Sequence, residues 1–161
     1  MSKTLLIVGA GGHGHVVAET ATACGYTTAF LDDNSTEAVG MISQLEQLAP
    51  QFDAVFVAIG NCEKRRELLS RVEKTITLIH PAAYVSPSAT IGSGSVVLPG
   101  AVVHTGARIG KGCIISIGAL IDHNAEIGDY CHIDAGAICK SGSKVESMKK
   151  IDSGNVVQGY G

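Results

Sequence analysis

With 161 residues, 45% hydrophobic and 17% charged, the chain has room for one ordinary domain or two small ones. Its formal net charge is −3, with six basic against nine acidic side chains in residues 1–80 and six against six in residues 81–161; neither half has the basic surface that nucleic acid requires. No run of about 18 apolar residues suggests a membrane span, and the short apolar stretch after Lys3 runs into a glycine motif rather than a secretory cleavage site, so a cytoplasmic protein is expected.

Leu5 to Val8 reads as a strand, Gly9-Ala10-Gly11-Gly12-His13-Gly14 as a turn, and Val16, Val17, Thr20 and Ala23 as one face of a helix closing near Gly25. Gly9, Gly11 and Gly14 satisfy GxGxxG, which turns the backbone tightly and aims amide N–H groups at a phosphate. Thr28 to Leu31 reads as a second strand. Asp32 and Asp33 at its end stand where a ribose-binding acid is expected in dinucleotide folds, so NAD is permitted, although the first half is small for it. A short helix is expected over Ile42 to Leu48, closed by Pro50, and a buried strand over Asp53 to Ile59. Gly60 follows, then Asn61 as N-cap of a helix from Glu63 to Val72, and a fourth strand from Ile76 to Ile79. Alternating strand and helix predict a small Rossmann-like parallel sheet in residues 1–80.

From Val85 the pattern changes. A long or branched apolar residue returns every six positions through Ile91, Val97, Val103, Ile109, Ile115, Ile121, Ile127 and Ile133, then Cys139, Val145, Ile151 and Val157. Two residues before each stands a small one, such as Ala101, Ala107, Cys113, Ala119, Ala125, Cys131 and Ala137. A period of six matches neither a heptad nor a helical face. It matches a short strand plus a corner, three of each closing one coil, with glycines such as Gly92, Gly100, Gly110, Gly118, Gly128 and Gly136 expected at the bends. Residues 81–161 therefore predict a parallel β-helix. Five cysteines without a CxxC pair argue against a disulfide framework, and Cys113 and Cys131, one coil apart, are expected to stack in the core.

The hexapeptide segment resembles the left-handed β-helix of trimeric acyltransferases, and the left hand is implied by that resemblance alone. Over nearly the whole chain, the series GAGGHG, FLDD, AIGN with an arginine-bearing helix, and IHP leading into hexapeptides is similar to the sugar O-acyltransferases of the sialic acid O-acetyltransferase family, which includes N-acetyltransferases of UDP-amino sugars. The resemblance implies a homotrimer that takes acetyl-CoA as acyl donor and a sugar, often UDP-linked, as acceptor. It places Gly9, Gly11, His13 and Gly14 at the phosphates and sugar, Asp32 and Asp33 near the uridine, and Gly60, Asn61 and Arg65 along the acceptor's path.

By register, His123 projects outward just after the corner plug Ile121, and Asp122 stacks one coil above His104, where the two could share a hydrogen bond. The histidines invite three readings: a zinc site, inert surface residues, or acyl transfer. The spacing is against zinc, since there is no H-x4-H and His132 stands at a different phase of the coil from His123, so no metal is expected. The segment Ile121-Asp122-His123-Asn124-Ala125-Glu126-Ile127-Gly128 resembles the part of the family helix that carries the catalytic histidine, which falls on His123, and His132 matches the histidine that contacts the thioester. Ser141 and Gly142, one coil above His123 and Asn124, are expected beside acetyl-CoA. Where the family has an acid after the catalytic histidine this chain has Asn124, so Asp122 is expected to substitute as the orienting acid. Lys149, at a small inward position, and the polar Glu146 to Lys150 stretch suggest a shortened CoA site; a non-catalytic trimeric scaffold is the alternative.

Overall fold

The computed structural model describes residues 2–160. Strands β1 (Lys3–Val8), β2 (Tyr26–Leu31) and β3 (Ala54–Val57) form a parallel sheet in the order β2-β1-β3. Leu5, Leu6, Ile7 and Val8 on the central strand are all fully buried, because a strand covered on both faces needs a continuous apolar run rather than an alternating one. Leu5 and Ile7 pack with Val17 and Ala21 of α1 (Gly12–Ala23), while Leu6 and Val8 pack with Leu45 and Leu68 on the other side. The Ile42–Leu48 segment is a 3-10 turn followed by a single α-turn, α2 (Leu45–Leu48), and Pro50 sits inside a further 3-10 turn instead of ending a helix. Leu68 belongs to α3 (Cys62–Leu69), whose Asn61 cap accepts the Lys64 N–H at 2.9 Å.

The expected fourth strand does not join this sheet. Only Leu78–Ile79 (β4) is extended, and it pairs with Val96–Val97 in the second half. Leu78 is drawn there because it shares one buried core with Val96 and Ile114 on one side and Ala54 and Phe56 on the other. That shared core welds the two halves together.

From β4 on, two-residue strands recur every six residues up to Val156–Val157 and stack into three parallel sheets, giving the left-handed β-helix. Each coil takes three strands and three corners, as the hexapeptide period implies: Ile114 pairs with Val96 below and His132 above, and Leu120 pairs with Val102 and Ile138. The branched stripe and the small stripe together form one continuous interior, in which Cys113, Cys131 and Cys139 are fully buried.

The corners separate two roles for glycine. A left-handed φ recurs every six residues, at Gly94, Gly100, Gly106, Gly112, Gly118, Gly136, Gly142 and Gly154, with Asn124, Tyr130 and Met148 filling the same positions. Gly92, Gly110 and Gly128, expected at the bends, have no such φ. They are small for another reason: a Cβ at Gly92 would lie 2.5 Å from the Gly110 carbonyl carbon, and one at Gly128 would lie 2.5 Å from the Ser147 nitrogen, each on the coil above.

The β-helix thus presents three faces. The docked face carries Leu78, Val96 and Ile114 beneath the N-terminal unit and continues as His132 and Lys150. An apolar face carries Tyr84, Val102, Leu120, Ile138 and Val156 in one column. A charged face carries Arg108, Glu126 and Lys144, with Glu126 paired to both cations.

Candidate active site

His123 stands exposed at the corner between the apolar and charged faces. Its main-chain N–H donates to Asp122 Oδ1 at 2.7 Å, and the same oxygen lies 3.3 Å from His104 Nδ1, which is the pairing expected from coil-on-coil stacking. The His123 N–H, then the His104 side chain, hold the Asp122 carboxyl below its usual range. Asp122 therefore secures the corner backbone; it does not take the role of the orienting acid on the His123 ring. That contact comes from Asn124, whose Nδ2 lies 3.4 Å from His123 Nδ1. Asn124 has φ 59°, a conformation Asn tolerates better than most residues because its short side chain bonds locally. One coil above, the Gly142 N–H donates to the His123 carbonyl at 3.0 Å, so Ser141 and Gly142 sit directly over His123 and Asn124.

A second histidine cluster lies where the halves meet. His132 Nε2 is 3.3 Å from Ser116 Oγ and 3.6 Å from Asp134 Oδ1. Burial lowers its pKa, outweighing the opposing pull of Asp134, and so favours the neutral imidazole. His13 is pushed down further, to about 4, first by burial and then by His132 and Arg65 nearby. Its Nε2 is buried with no hydrogen-bond partner among the described residues. Beside His132, the residues Gly60, Asn61, Cys62, Glu63 and Lys150 line a groove of about 460 Å³.

Arg65 does not line an acceptor path. Its side chain is only 1% exposed and all its N–H groups point at main-chain oxygens or sulfur. Nε donates to the Gly112 carbonyl at 2.6 Å, Nη1 to Ile59 and Gly60 at 2.9 Å each, and Nη2 to Tyr130 at 3.0 Å, Cys131 at 3.3 Å and the Cys62 Sγ at 3.7 Å. The guanidinium is a staple between α3, the end of β3 and two coils of the β-helix.

The glycine turn is built as its spacing implies. Gly14 lets α1 press on the turn, since a Cβ there would be 2.0 Å from the Gly9 carbonyl oxygen, whereas around Gly11 and Gly12 nothing lies within 4 Å of an added Cβ. Asp32 accepts from the Ala10 N–H at 2.8 Å through one oxygen and from Asn34 and Ser35 through the other, and the Ala10 bond leads in lowering its pKa. Asp33 accepts from the Ile42 N–H at 2.9 Å. Both acids thus brace the loop beside the turn, and Asp32 does not present a free carboxylate to a ribose diol.

Comparison with known proteins agrees with this architecture. Residues 4–72 match the PglD N-terminal domain model. The acetyltransferase domain of PglB from Neisseria gonorrhoeae FA1090 superposes with a TM-score of 0.91 at 36% identity, covering 96% of this chain and 82% of that one. The chain belongs to the hexapeptide-repeat sugar acetyltransferases. Another member, the UDP-N-acetylbacillosamine N-acetyltransferase of Bacillus subtilis (strain 168), is 38% identical over 113 residues, a match that spans 60% of this chain and about half, 51%, of the curated relative. PerB from Caulobacter crescentus, solved with CoA and GDP-perosamine, superposes with a TM-score of 0.82 at 29% identity, covering 97% of this chain and 89% of that one.

Sequence reasoning missed three residues of the two clusters. Ser116 flanks His132 from the coil below and Asp134 from two residues further along its own coil, and neither position carried a motif. Tyr160 lies with its ring centroid 6.4 Å from the His123 ring, a contact that depends on Gly142 lacking a side chain. Among the described residues no helix is long and apolar enough to cross a membrane, and no group of three or more His, Cys, Asp or Glu side chains is gathered to hold a metal ion.

Proposed function

We propose that this chain transfers the acetyl group of acetyl-CoA to the amine of a nucleotide-linked sugar, with His123 as general base. The observation that carries the reading is His123 itself: an exposed imidazole on a braced corner, its main chain held by Asp122 and its ring contacted by Asn124. The amine attacks the thioester carbonyl, His123 takes the proton released from nitrogen, and as the carbon–sulfur bond breaks that proton passes to the departing sulfur, so that CoA leaves as its thiol and the imidazole is restored. A base in this position contributes on the order of 10² to 10⁴ in rate, the rest coming from positioning.

The tautomer decides whether His123 can act. With the amide NH2 of Asn124 facing Nδ1, the imidazole carries its proton on Nε2 and has no lone pair there. Turned over, the same amide presents Oδ1, which accepts from Nδ1–H and frees the Nε2 lone pair for the amine's proton.

A homotrimer supports the site. Tyr84, Leu120 and Val156 on the apolar face are 54%, 41% and 45% exposed, and this face lies between the His123 corner and the His132 strand. A single chain therefore keeps the two histidines on opposite edges. Three such faces around a threefold axis set the His123 edge of one subunit beside the His132 edge of the next, where a thioester and an amine can meet. The glycine turn and the groove at His132 then hold the nucleotide sugar. PerB was solved with GDP-perosamine, and the Bacillus relative is named for a UDP-linked sugar, so both nucleotides belong in the test. Release of CoA thiol from acetyl-CoA, measured with UDP- and GDP-linked amino sugars, should show turnover with at least one. No thiol release with any of them would reject the reading.

A further inference from the structure

We propose that Tyr160 is a positioning residue of the acetyl-transfer site, its ring forming a wall for the acceptor's sugar ring beside His123. The proposal rests on the reading of His123 as the base.

Gly106, Asn124, Gly142 and Tyr160 follow one another at one-coil intervals and so occupy one corner column. The column is tied coil to coil: Asn124 N–H to the Thr105 carbonyl at 2.9 Å, Gly142 N–H to His123 at 3.0 Å, Tyr160 N–H to Ser141 at 3.0 Å. Because Gly142 has no side chain, the Tyr160 ring lies down across it; a Cβ at 142 would sit 2.1 Å from the ring's Cε1. The ring thereby crosses a full coil and reaches the level of His123, with 42° between the two ring planes. His104 flanks the same imidazole from below, at 6.5 Å between centroids. His123 is thus held between one ring on each side.

Tyr160 is nevertheless 68% exposed, and with Arg108, Asn124, Glu126 and Lys144 it lines a groove of about 460 Å³. A large aromatic left open to solvent beside a base has a free apolar face and a polar tip, a combination suited to a ligand that is apolar on one side and wet on the other. The acceptor sugar has that character. Its amine is bonded directly to a ring carbon, so an amine about 3 Å from the imidazole nitrogen brings the C–H face of its ring within contact range of Tyr160. The acetyl group of the donor is too small to cover both His123 and the aromatic ring.

Steady-state kinetics of wild type, Tyr160→Ala and Tyr160→Phe, with GDP-perosamine and a UDP-linked amino sugar as acceptors, test the wall. Tyr160→Ala should raise the acceptor KM about 3- to 10-fold, the range of an aromatic stacking contact, while leaving the acetyl-CoA KM and the melting temperature at wild-type values. Tyr160→Phe should behave as wild type, since the ring and not the phenol is used. An unchanged acceptor KM in Tyr160→Ala, an effect confined to acetyl-CoA, or a Phe variant as impaired as Ala would each overturn the proposal. If wild type acetylates neither acceptor, the acetyl-transfer reading is what fails, and calorimetric titration of GDP-perosamine decides the wall by itself. Weaker binding to Tyr160→Ala supports it; equal affinity, or no heat with either protein, overturns it.

Discussion

Replacing Arg65 by Met keeps an unbranched apolar stem and deletes the guanidinium. Five main-chain carbonyls would lose a charged donor: Ile59 and Gly60 in the N-terminal unit, Gly112, Tyr130 and Cys131 in the β-helix. Each charge-assisted bond is worth roughly 1.5–3 kcal/mol, but their sum overstates the effect, because Met also removes the desolvation cost of a buried cation. A net loss on the order of 3–5 kcal/mol is expected, from several buried carbonyls left without a donor at about 1–3 kcal/mol each, offset in part by that desolvation. The loss should not spread evenly. The interior stripes of the β-helix form their own continuous core, without help from the N-terminal unit, so that unit should open first. Guanidinium unfolding followed by far-ultraviolet circular dichroism, to which α1 and α3 contribute the helical signal, should become biphasic with an early N-terminal transition. Hydrogen exchange should show lost protection at β1 and α3 before the coils. Arg65→Lys should fall between, since an ammonium has three donors and no planar fork. A cost below about 1 kcal/mol, or a single transition shifted as a whole, would refute the staple.

Further outcomes follow from the same geometry. Asn124→Asp should keep or raise kcat, by up to about tenfold, because a carboxylate accepts from Nδ1–H and holds His123 in the tautomer that frees Nε2; a tenfold fall would show that Asn124 does not orient the ring. Gly14→Ala should destabilise by about 2 kcal/mol or more in thermal unfolding, since the added Cβ meets a backbone oxygen at 2.0 Å; wild-type stability would contradict this packing of α1 on the turn. His13 has a folded pKa of about 4 against an ordinary 6.5, so between those values the unfolded chain binds more protons. Stability should be full above about pH 6.5 and fall as pH drops towards 4, by on the order of 2–3 kcal/mol, and melting curves of His13→Asn should lose most of that slope.

The β-helix was legible because its interior is nearly one-dimensional. Every eighteenth residue meets the same surroundings one coil up, so Val97, Ile115 and Ile133 report their environment without any knowledge of distant contacts. The glycines were half legible: composition marks a tight place but does not say whether φ or close approach demands it, and Asn124, Tyr130 and Met148 hold the left-handed corner with no glycine to announce them. Strand β4 was misplaced because a short apolar run does not reveal which sheet will accept it, and Leu78 was claimed by Val96 and Ile114. The family resemblance puts Arg65 along the acceptor's path, whereas its partners are carbonyls, which every residue has and no pattern marks. The partners of Asp32 and Asp33 are likewise main-chain N–H groups, which no pattern marks. Tyr160 reaches His123 only through the missing side chain of Gly142, a three-residue relation that spacing alone does not suggest.

The role of His123 is tested most directly by His123→Ala, assayed for CoA release from acetyl-CoA with the nucleotide amino sugar that wild type uses best. An exposed corner side chain contributes little to the buried stripes, so melting temperature and oligomeric state should match wild type. Turnover should fall by roughly two to four decades. A folded His123→Ala variant whose turnover stays within a factor of three of wild type would contradict the account.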